Sequence, residues 1–483
     1  MGEPITKGIY IGGEWKEAVR GGTIDVFNPA TLEKLATVPD AGDDEAAQAV
    51  DAASSALPAW REASAYERAA LLMRWYEQIM LHQEEIARTM TMEQGKPLPE
   101  ARTEVAYAAS FIQWYAEEAK RVYGEIIPAT TAGKRLFVIR QAVGVVGAIT
   151  PWNFPAAMIT RKAGPALAAG CTIVVKPAEQ TPLTALLLAE MAEKAGIPAG
   201  VLNVITGDAK TIAGRLMADG RVRKVTFTGS TEVGKEIMRG AADTMKKISL
   251  ELGGHAPVIV FDDADLELAA EQTAISKFRN AGQTCVCANR IYVHESVHDA
   301  FERRLADKIA GLRVGYGLDE GVAIGPLIDE SGLDKVKRQV EEAVARGAKA
   351  VVGGRTAEPE GSRRGFFYEP TLLTGVTPDM QIMREETFGP VAPLIPFRTD
   401  EEAVRMANDS VYGLAAYLFT TNVNRAVRAA EGLEYGIVGV NDGAPSTAQA
   451  PFGGFKESGL GREGGRQGIE EYLETKYISL GLG

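Results

Sequence analysis

The sequence predicts an α/β protein with two doubly wound parallel-sheet domains plus a small β element. The chain has 483 residues, 46% of them apolar, which is too long for one ordinary core and apolar enough to fill more than one. From residue 134 onward, β-branched runs alternate with helix-length stretches, the pattern of parallel strands joined by crossover helices. No internal repeat or low-complexity tract points to another architecture.

Taken in order, Tyr10 to Trp15 reads as a short strand region, and the rest of the first part reads as helical. Ala46 to Leu57 is alanine-rich. Ser64 followed by Glu67 forms a capping box for a helix from Ala65, with Leu71, Leu72, Trp75, Ile79 and Ile86 at helical spacing on an inward face. Arg135 to Ile139 and Val143 to Thr150 read as strands. Thr172 to Lys176 is a strand leading to a helix capped by Thr181, with Pro182 at its first position and Gly196 past its end. Strands follow at Val201 to Ile205, Lys224 to Thr228 and Lys247 to Leu252, separated by helices near Lys210 to Ala218 and after Gly229-Ser230.

A second α/β domain follows, with strand Val258 to Phe261, helix Leu266 to Phe278 and strand Arg290 to Val293. Helices near Val297 to Leu312 and Gly332 to Arg346 complete the reading. The expected division is residues 1–121 with 142–253 as a first domain and 254–453 as a second domain. Segments 122–141 and 454–483 are bridging appendages. The strand-like stretch Lys476 to Leu480 would present a free edge, an invitation to pair with another subunit.

Composition excludes several classes. With 52 basic against 64 acidic residues the net charge is -12, and no basic stretch is concentrated enough to favour nucleic acid or an anionic membrane. The start Met1-Gly2-Glu3-Pro4 lacks a secretory pattern. The longest apolar region, Gln141 to Ile159, is broken by Pro151, Asn153 and Pro155, so it reads as no membrane span. Three cysteines cannot staple so long a chain, which fits a soluble, cytoplasmic protein. Four histidines without ligand spacing give no metal site.

The chemistry concentrates in Phe278-Arg279-Asn280-Ala281-Gly282-Gln283-Thr284-Cys285-Val286-Cys287, a thiol in a small polar loop. Cys285 reads as a nucleophile in need of a base. Glu251, a lone carboxylate ending an apolar run before Gly253-Gly254, is the candidate base. Taken singly, each motif has a structural alternative: a plain thiol, a turn carboxylate, a strand end fixed by Pro151 and Pro155.

Together, however, PWNFP, VVKPAEQTP, FTGSTEVG, LELGG, FRNAGQTC, EETFGP and PFGGFKESG resemble the NAD(P)-dependent aldehyde dehydrogenase superfamily over nearly the whole chain. The resemblance implies an aldehyde dehydrogenase-like fold and assigns roles. Cys285 would attack the aldehyde carbonyl, and the Asn153 amide with the Cys285 backbone N–H would hold the oxyanion. Glu251 would activate the water that hydrolyses the thioester. For the cofactor, the resemblance implies Thr150, Pro151, Trp152, Lys176, Glu179, Gly229, Ser230, Gly234, Leu252, Glu386 and Phe388. A carboxylate at Glu179 accepts from ribose hydroxyls and repels a 2′-phosphate, so NAD is expected over NADP.

Within the superfamily the chain is similar to the succinate-semialdehyde dehydrogenase branch at Arg161, Arg279, Ser446 and Cys287. Two arginines entering one pocket are expensive without an anion, and a substrate carboxylate supplies one. A structural salt bridge is the alternative for either arginine alone. Glutarate semialdehyde differs by one methylene, worth only about 1–3 kcal/mol to a pocket, so chain length stays open, as do 2-oxoglutarate semialdehyde and an uncharged aldehyde. A non-catalytic cofactor-binding member of the fold is the alternative from another class. The branch also implies a reversible Cys285 to Cys287 disulfide, against which stands an unreactive second thiol. A small aldehyde with a terminal carboxylate and a second copy of the chain are the expected partners.

Overall fold

The computed structural model describes residues 5, 6, 8–359 and 364–482. Residues 1–4, read above for a leader pattern, and Gly483 of the tail lie outside the described residues. Two large sheets carry the chain. The first orders its strands Gly459–Leu460, Lys247–Glu251, Val222–Thr228, Val145–Ile149, Thr172–Lys176, Leu202–Val204, Ile9–Ile11 and Glu14–Lys16. Its five central strands are parallel. The second runs Lys349–Val352, Thr371–Thr374, Val391–Phe397, Ala288–His294, Ala256–Val260, Ala415–Phe419 and Ile437–Val440, parallel except at its Lys349–Val352 edge.

The apolar composition of the central strands follows from this layering. Val145–Ile149, Thr172–Lys176 and Ala256–Val260 are buried along their whole length, as strands covered by helices on both faces must be. On the first sheet, the helix Ala65–Leu81 has the expected capping box. Glu67 N–H donates to Ser64 Oγ at 3.2 Å and Ser64 N–H to Glu67 Oε2 at 2.7 Å. It buries Leu72, Trp75 and Ile79, each worth about 1.5–3 kcal/mol in apolar transfer.

Two expectations need correcting. The first part is not helical throughout after Tyr10 to Trp15: strands Thr23–Phe27 and Lys34–Pro39 form a small sheet there. Thr23–Phe27 is short and mostly exposed, and Lys34–Pro39 buries only Ala36, Val38 and Pro39, so the pair carries little hydrophobic signal. Thr181 does stand before the helix Pro182–Lys194, but its side chain makes no cap bond. Buried Glu93, on the helix Gln83–Gln94, accepts instead from Leu183 N–H and Thr184 N–H, each at 2.8 Å.

The third sheet pairs Lys134–Ala142 with both Glu125–Ile127 and the terminal strand Leu473–Gly481, all antiparallel. It leaves Ile126, Tyr477, Ile478 and Leu480 exposed. No described helix is long and apolar enough to cross a membrane.

Candidate active site

Strand order positions the site. Along the first sheet, the chain runs outward one way from Val145–Ile149 and the other way to Val222–Thr228 and Lys247–Glu251, so a topological switch point falls between the first two. Crevices for ligands open beyond the carboxyl ends of strands at such a point. Thr150, Pro151, Trp152 and Asn153 leave Val145–Ile149 there, Gly229 and Ser230 leave Val222–Thr228, and Glu251 ends its own strand. Gly229 N–H donates to the Glu251 carbonyl at 3.1 Å, tying the two turns together.

On the cofactor side, Ser230 caps the helix Thr231–Ala242 by accepting from Val233 N–H. Gly234 lies so close to Leu252 that a Cβ would stand 2.4 Å from a leucine methyl, which is the packing reason for glycine in that turn. The buried Thr150 hydroxyl has no partner among the described residues. Lys176 is buried and pairs with Glu179, whose Oε1 also accepts from Ala209 N–H at 3.1 Å. Burial lowers the Lys176 pKa while Glu179 opposes the shift. Trp152 and Phe388 meet edge to face at 5.5 Å. Glu386 Oε1 accepts from Gly254 N–H at 2.9 Å, yet burial lifts its carboxyl to about 7. A helix N-terminus, an unpaired hydroxyl and a carboxylate beside a strand end suit a dinucleotide's phosphates and ribose hydroxyls.

The nucleophile loop packs against this crevice. After the helix Leu266–Phe278, Asn280, Ala281 and Gly282 take φ of 52°, 52° and 75°, a costly run for residues with a Cβ. Side chains hold it in place. Glu100 Oε2 accepts from Asn280 N–H at 2.8 Å, Gln94 Nε2 donates to Asn280 Oδ1 at 3.0 Å, and Asn280 Nδ2 donates to the Asn153 carbonyl at 3.0 Å. Asn153 is buried, and its amide donates to the Gln283 carbonyl at 3.0 Å. Gly254 approaches so closely that a Cβ would stand 2.1 Å from the Cys285 carbonyl oxygen, and one on Gly253 would stand 3.2 Å from Glu386 Oε2. The glycine pair therefore fits between the thiol loop and Glu386.

Cys285 is partly exposed to a cavity of about 770 Å³ whose wall also holds Arg161, Arg279, Thr284, Phe154 and Ser446. Burial pushes its thiol up to about 12; Arg161 and Arg279 draw it back, and Glu386 and Glu251 add to the rise. Glu251 is buried, and its Oε2 has no hydrogen-bond partner among the described residues. Its burial and the neighbouring Glu463 hold it well above the usual carboxylate range. Both groups of the resting site are thus held above their ordinary pKa values, chiefly by burial.

The two arginines differ. Arg161 is buried, with Nε 2.8 Å from Glu463 Oε2 and its guanidinium 3.8 Å from the Phe452 ring centre. The cost argument for a substrate anion is thus corrected for Arg161, because Glu463 already supplies a counter-charge. Even so, Arg161 Nε and Nη2 lack an aligned acceptor among the described residues. Arg279 lies 5.4 Å from the Phe154 ring centre and has no ion pair among the described residues. Cys287, by contrast, is fully buried and donates to the Lys277 carbonyl at 3.3 Å.

Several residues here escape sequence reasoning. Lys96 is buried, pairs with Glu104 and donates to the Asn153 carbonyl at 2.8 Å. Glu104 in turn accepts from Ala156 N–H at 3.0 Å. Only the punctuation Gly95-Lys96-Pro97 hints at it. Glu463 comes from the glycine-rich segment near the carboxyl end, where its Oε1 accepts from Lys162 Nζ at 2.5 Å. Against the cost of burial, Lys162 and Arg161 hold Glu463 below its ordinary pKa.

Comparison with known proteins decides the family. Residues 15–478 match the aldehyde dehydrogenase family. The chain belongs to that family. It is 56% identical over 472 residues to the succinate-semialdehyde dehydrogenase [NADP(+)] of Escherichia coli K12, covering 98% of this chain and 97% of that one. It is also 56% identical over 473 residues to a glutarate-semialdehyde dehydrogenase of Pseudomonas putida, with the same coverage. Among solved structures, an E. coli NADP-dependent enzyme superposes with a TM-score of 0.97 at 55% identity, covering 98% of each chain. This aldehyde dehydrogenase is accordingly an enzyme that oxidises aldehydes, and its family draws on NAD or NADP.

Proposed function

We propose that this aldehyde dehydrogenase oxidises an aldehyde bearing a terminal carboxylate, succinate semialdehyde above all, to the diacid. The observation that carries the reading is the convergence of Arg161, Arg279 and Cys285 on one cavity, with donors on Arg161 unmet. The geometry suits the following sequence. Cys285 gives its proton to solvent water as its sulfur adds to the aldehyde carbon, forming a thiohemiacetal whose oxygen carries the negative charge. The second Asn153 amide N–H and the Cys285 N–H stabilise the developing oxyanion. A bound nicotinamide dinucleotide supplies the hydride acceptor. Thr150, Pro151, Trp152, Lys176, Glu179, Gly229, Ser230, Gly234, Leu252, Glu386 and Phe388 would hold it. Glu251 then takes a proton from water, which attacks the Cys285 thioester and releases the acid. Its raised pKa suits it to accept that proton.

Glu179 carries the preference for NAD: a fixed negative charge there opposes a 2′-phosphate. The NADP(+) in the E. coli relative's name supports the opposite reading. Glutarate semialdehyde is the second substrate reading, supported by the Pseudomonas relative and by the small energy of one methylene. A panel of charged and neutral aldehydes, assayed at the NADH band with each dinucleotide, tests all three. Equal kcat/KM on neutral and charged aldehydes would end the carboxylate reading.

A homo-oligomer is proposed from the exposed apolar edge at Ile126, Tyr477, Ile478 and Leu480, and a cytoplasmic setting from the scarcity of cysteine. Sedimentation at the monomer mass would remove the first. The Cys285 to Cys287 disulfide requires Cys287 to leave the Lys277 carbonyl. Dithiothreitol-reversible loss of activity in peroxide that survives Cys287→Ala would remove the switch.

A further inference from the structure

The helix Leu98–Glu118 turns one face to the aldehyde cavity, with Glu100, Thr103, Glu104 and Tyr107 at spacings of three and four residues. Three of these are already accounted for or peripheral. Glu100 accepts from Asn280 N–H, and Glu104 is taken up by Lys96 and the backbone of Ala156 and Ala157. Thr103 bonds back to the Pro99 carbonyl. Tyr107 is different. Its ring is fixed edge to face on Phe111, with centres 4.9 Å apart, and Phe111 also lies 5.6 Å from the Arg161 guanidinium. Its hydroxyl has no hydrogen-bond partner among the described residues. Tyr107 lines the same cavity as Arg161, Arg279 and Cys285; burial raises its pKa, Arg161 and Arg279 oppose the rise, and Glu463 and Cys285 add to it.

Tyr107 is half-buried, and a phenol O–H in such a setting usually finds a partner, which the described residues of this wall do not give it. On the same wall, Arg161 Nη2 is buried with no hydrogen-bond partner among the described residues. A carboxylate offers about four acceptor positions, more than one arginine can fill.

We propose that the Tyr107 hydroxyl is a substrate-binding donor that, with Arg161 and Arg279, receives the terminal carboxylate of the aldehyde. This rests on the carboxylated-aldehyde reading and adds a specificity residue to it. A phenol is a neutral donor, so Tyr107 can bond a carboxylate without placing a further cation on the wall that holds Cys285.

The test compares Tyr107→Phe with wild type on succinate semialdehyde and on butanal, which keeps the chain and loses the charge. Losing one hydrogen bond to a charged group is expected to raise KM for succinate semialdehyde about tenfold with kcat retained. Butanal kinetics and the unfolding midpoint are expected to be unchanged. The same rise on both aldehydes, or on neither, would overturn the assignment while a charge preference in wild type left the broader reading standing. A wild type indifferent to charge would overturn both.

Discussion

The walls of the aldehyde cavity that carry Arg161 and Arg279 present the same side chain in two settings. Arg161 sits on the buried helix Ala157–Ala169, against Glu463 and Phe452. Arg279 follows the helix Leu266–Phe278, partly exposed, with an aromatic ring for a neighbour and no ion pair among the described residues. The difference teaches that one residue type can be tied into the fold by a counter-charge at one position and left without one at another on the same cavity. A buried cation with a built-in partner holds the carboxyl-terminal segment in place as well as facing the cavity.

Substitution separates the two. Arg161→Met leaves Glu463 facing Lys162 alone, so a stability loss of about 3 kcal/mol is expected in urea unfolding, the low end for a broken buried pair because one cation remains. Activity on charged aldehydes is expected to fall with it. Arg279→Met is expected to cost about 10- to 100-fold in kcat/KM on succinate semialdehyde with the unfolding midpoint kept. An equal stability loss in both variants would erase the contrast.

Both arginines also lower the Cys285 thiol from what burial alone would give. With that thiol pushed up to about 12, its thiolate fraction in the free enzyme grows about tenfold per pH unit between neutral pH and 10. Iodoacetamide labelling of Cys285 is expected to rise with that slope and to be slower in either Arg→Met variant. A plateau near neutral pH would mean an activated resting thiolate. The smallest effect is expected on the cofactor side, away from both arginines. Glu179→Ser is expected to raise the ratio of NADP to NAD kcat/KM about tenfold, and an unchanged ratio would place dinucleotide choice elsewhere.

Much of this arrangement is legible in the chain because the signals are local. The helix Leu266–Phe278 can be read to the residue: Asp265 caps it by accepting from Glu267 and Leu268 N–H, and the glycine-containing loop ends it. Glycines at 229, 234, 253 and 254 mark close approaches that their neighbours in sequence already suggest. What cannot be read is pairing across distance. Nothing near Glu463 reveals that it meets Arg161 and Lys162 from some 301 residues away, and nothing near Lys96 shows that it reaches the Asn153 carbonyl. Tyr107 looks like one more apolar helix residue until the cavity is formed around it. Buried charge depends on which elements the sheet order brings together, whereas caps and turns depend only on adjacent residues.

The central claim is that Cys285 carries the acyl group and Glu251 releases it. The direct measurement is mass spectrometry of Glu251→Gln quenched after mixing with succinate semialdehyde and NAD. Without the base, hydrolysis is expected to slow about 10²- to 10⁴-fold and a succinyl adduct to accumulate on Cys285. An adduct confined to Cys287, or steady NADH production with no acylated cysteine at all, would contradict the claim.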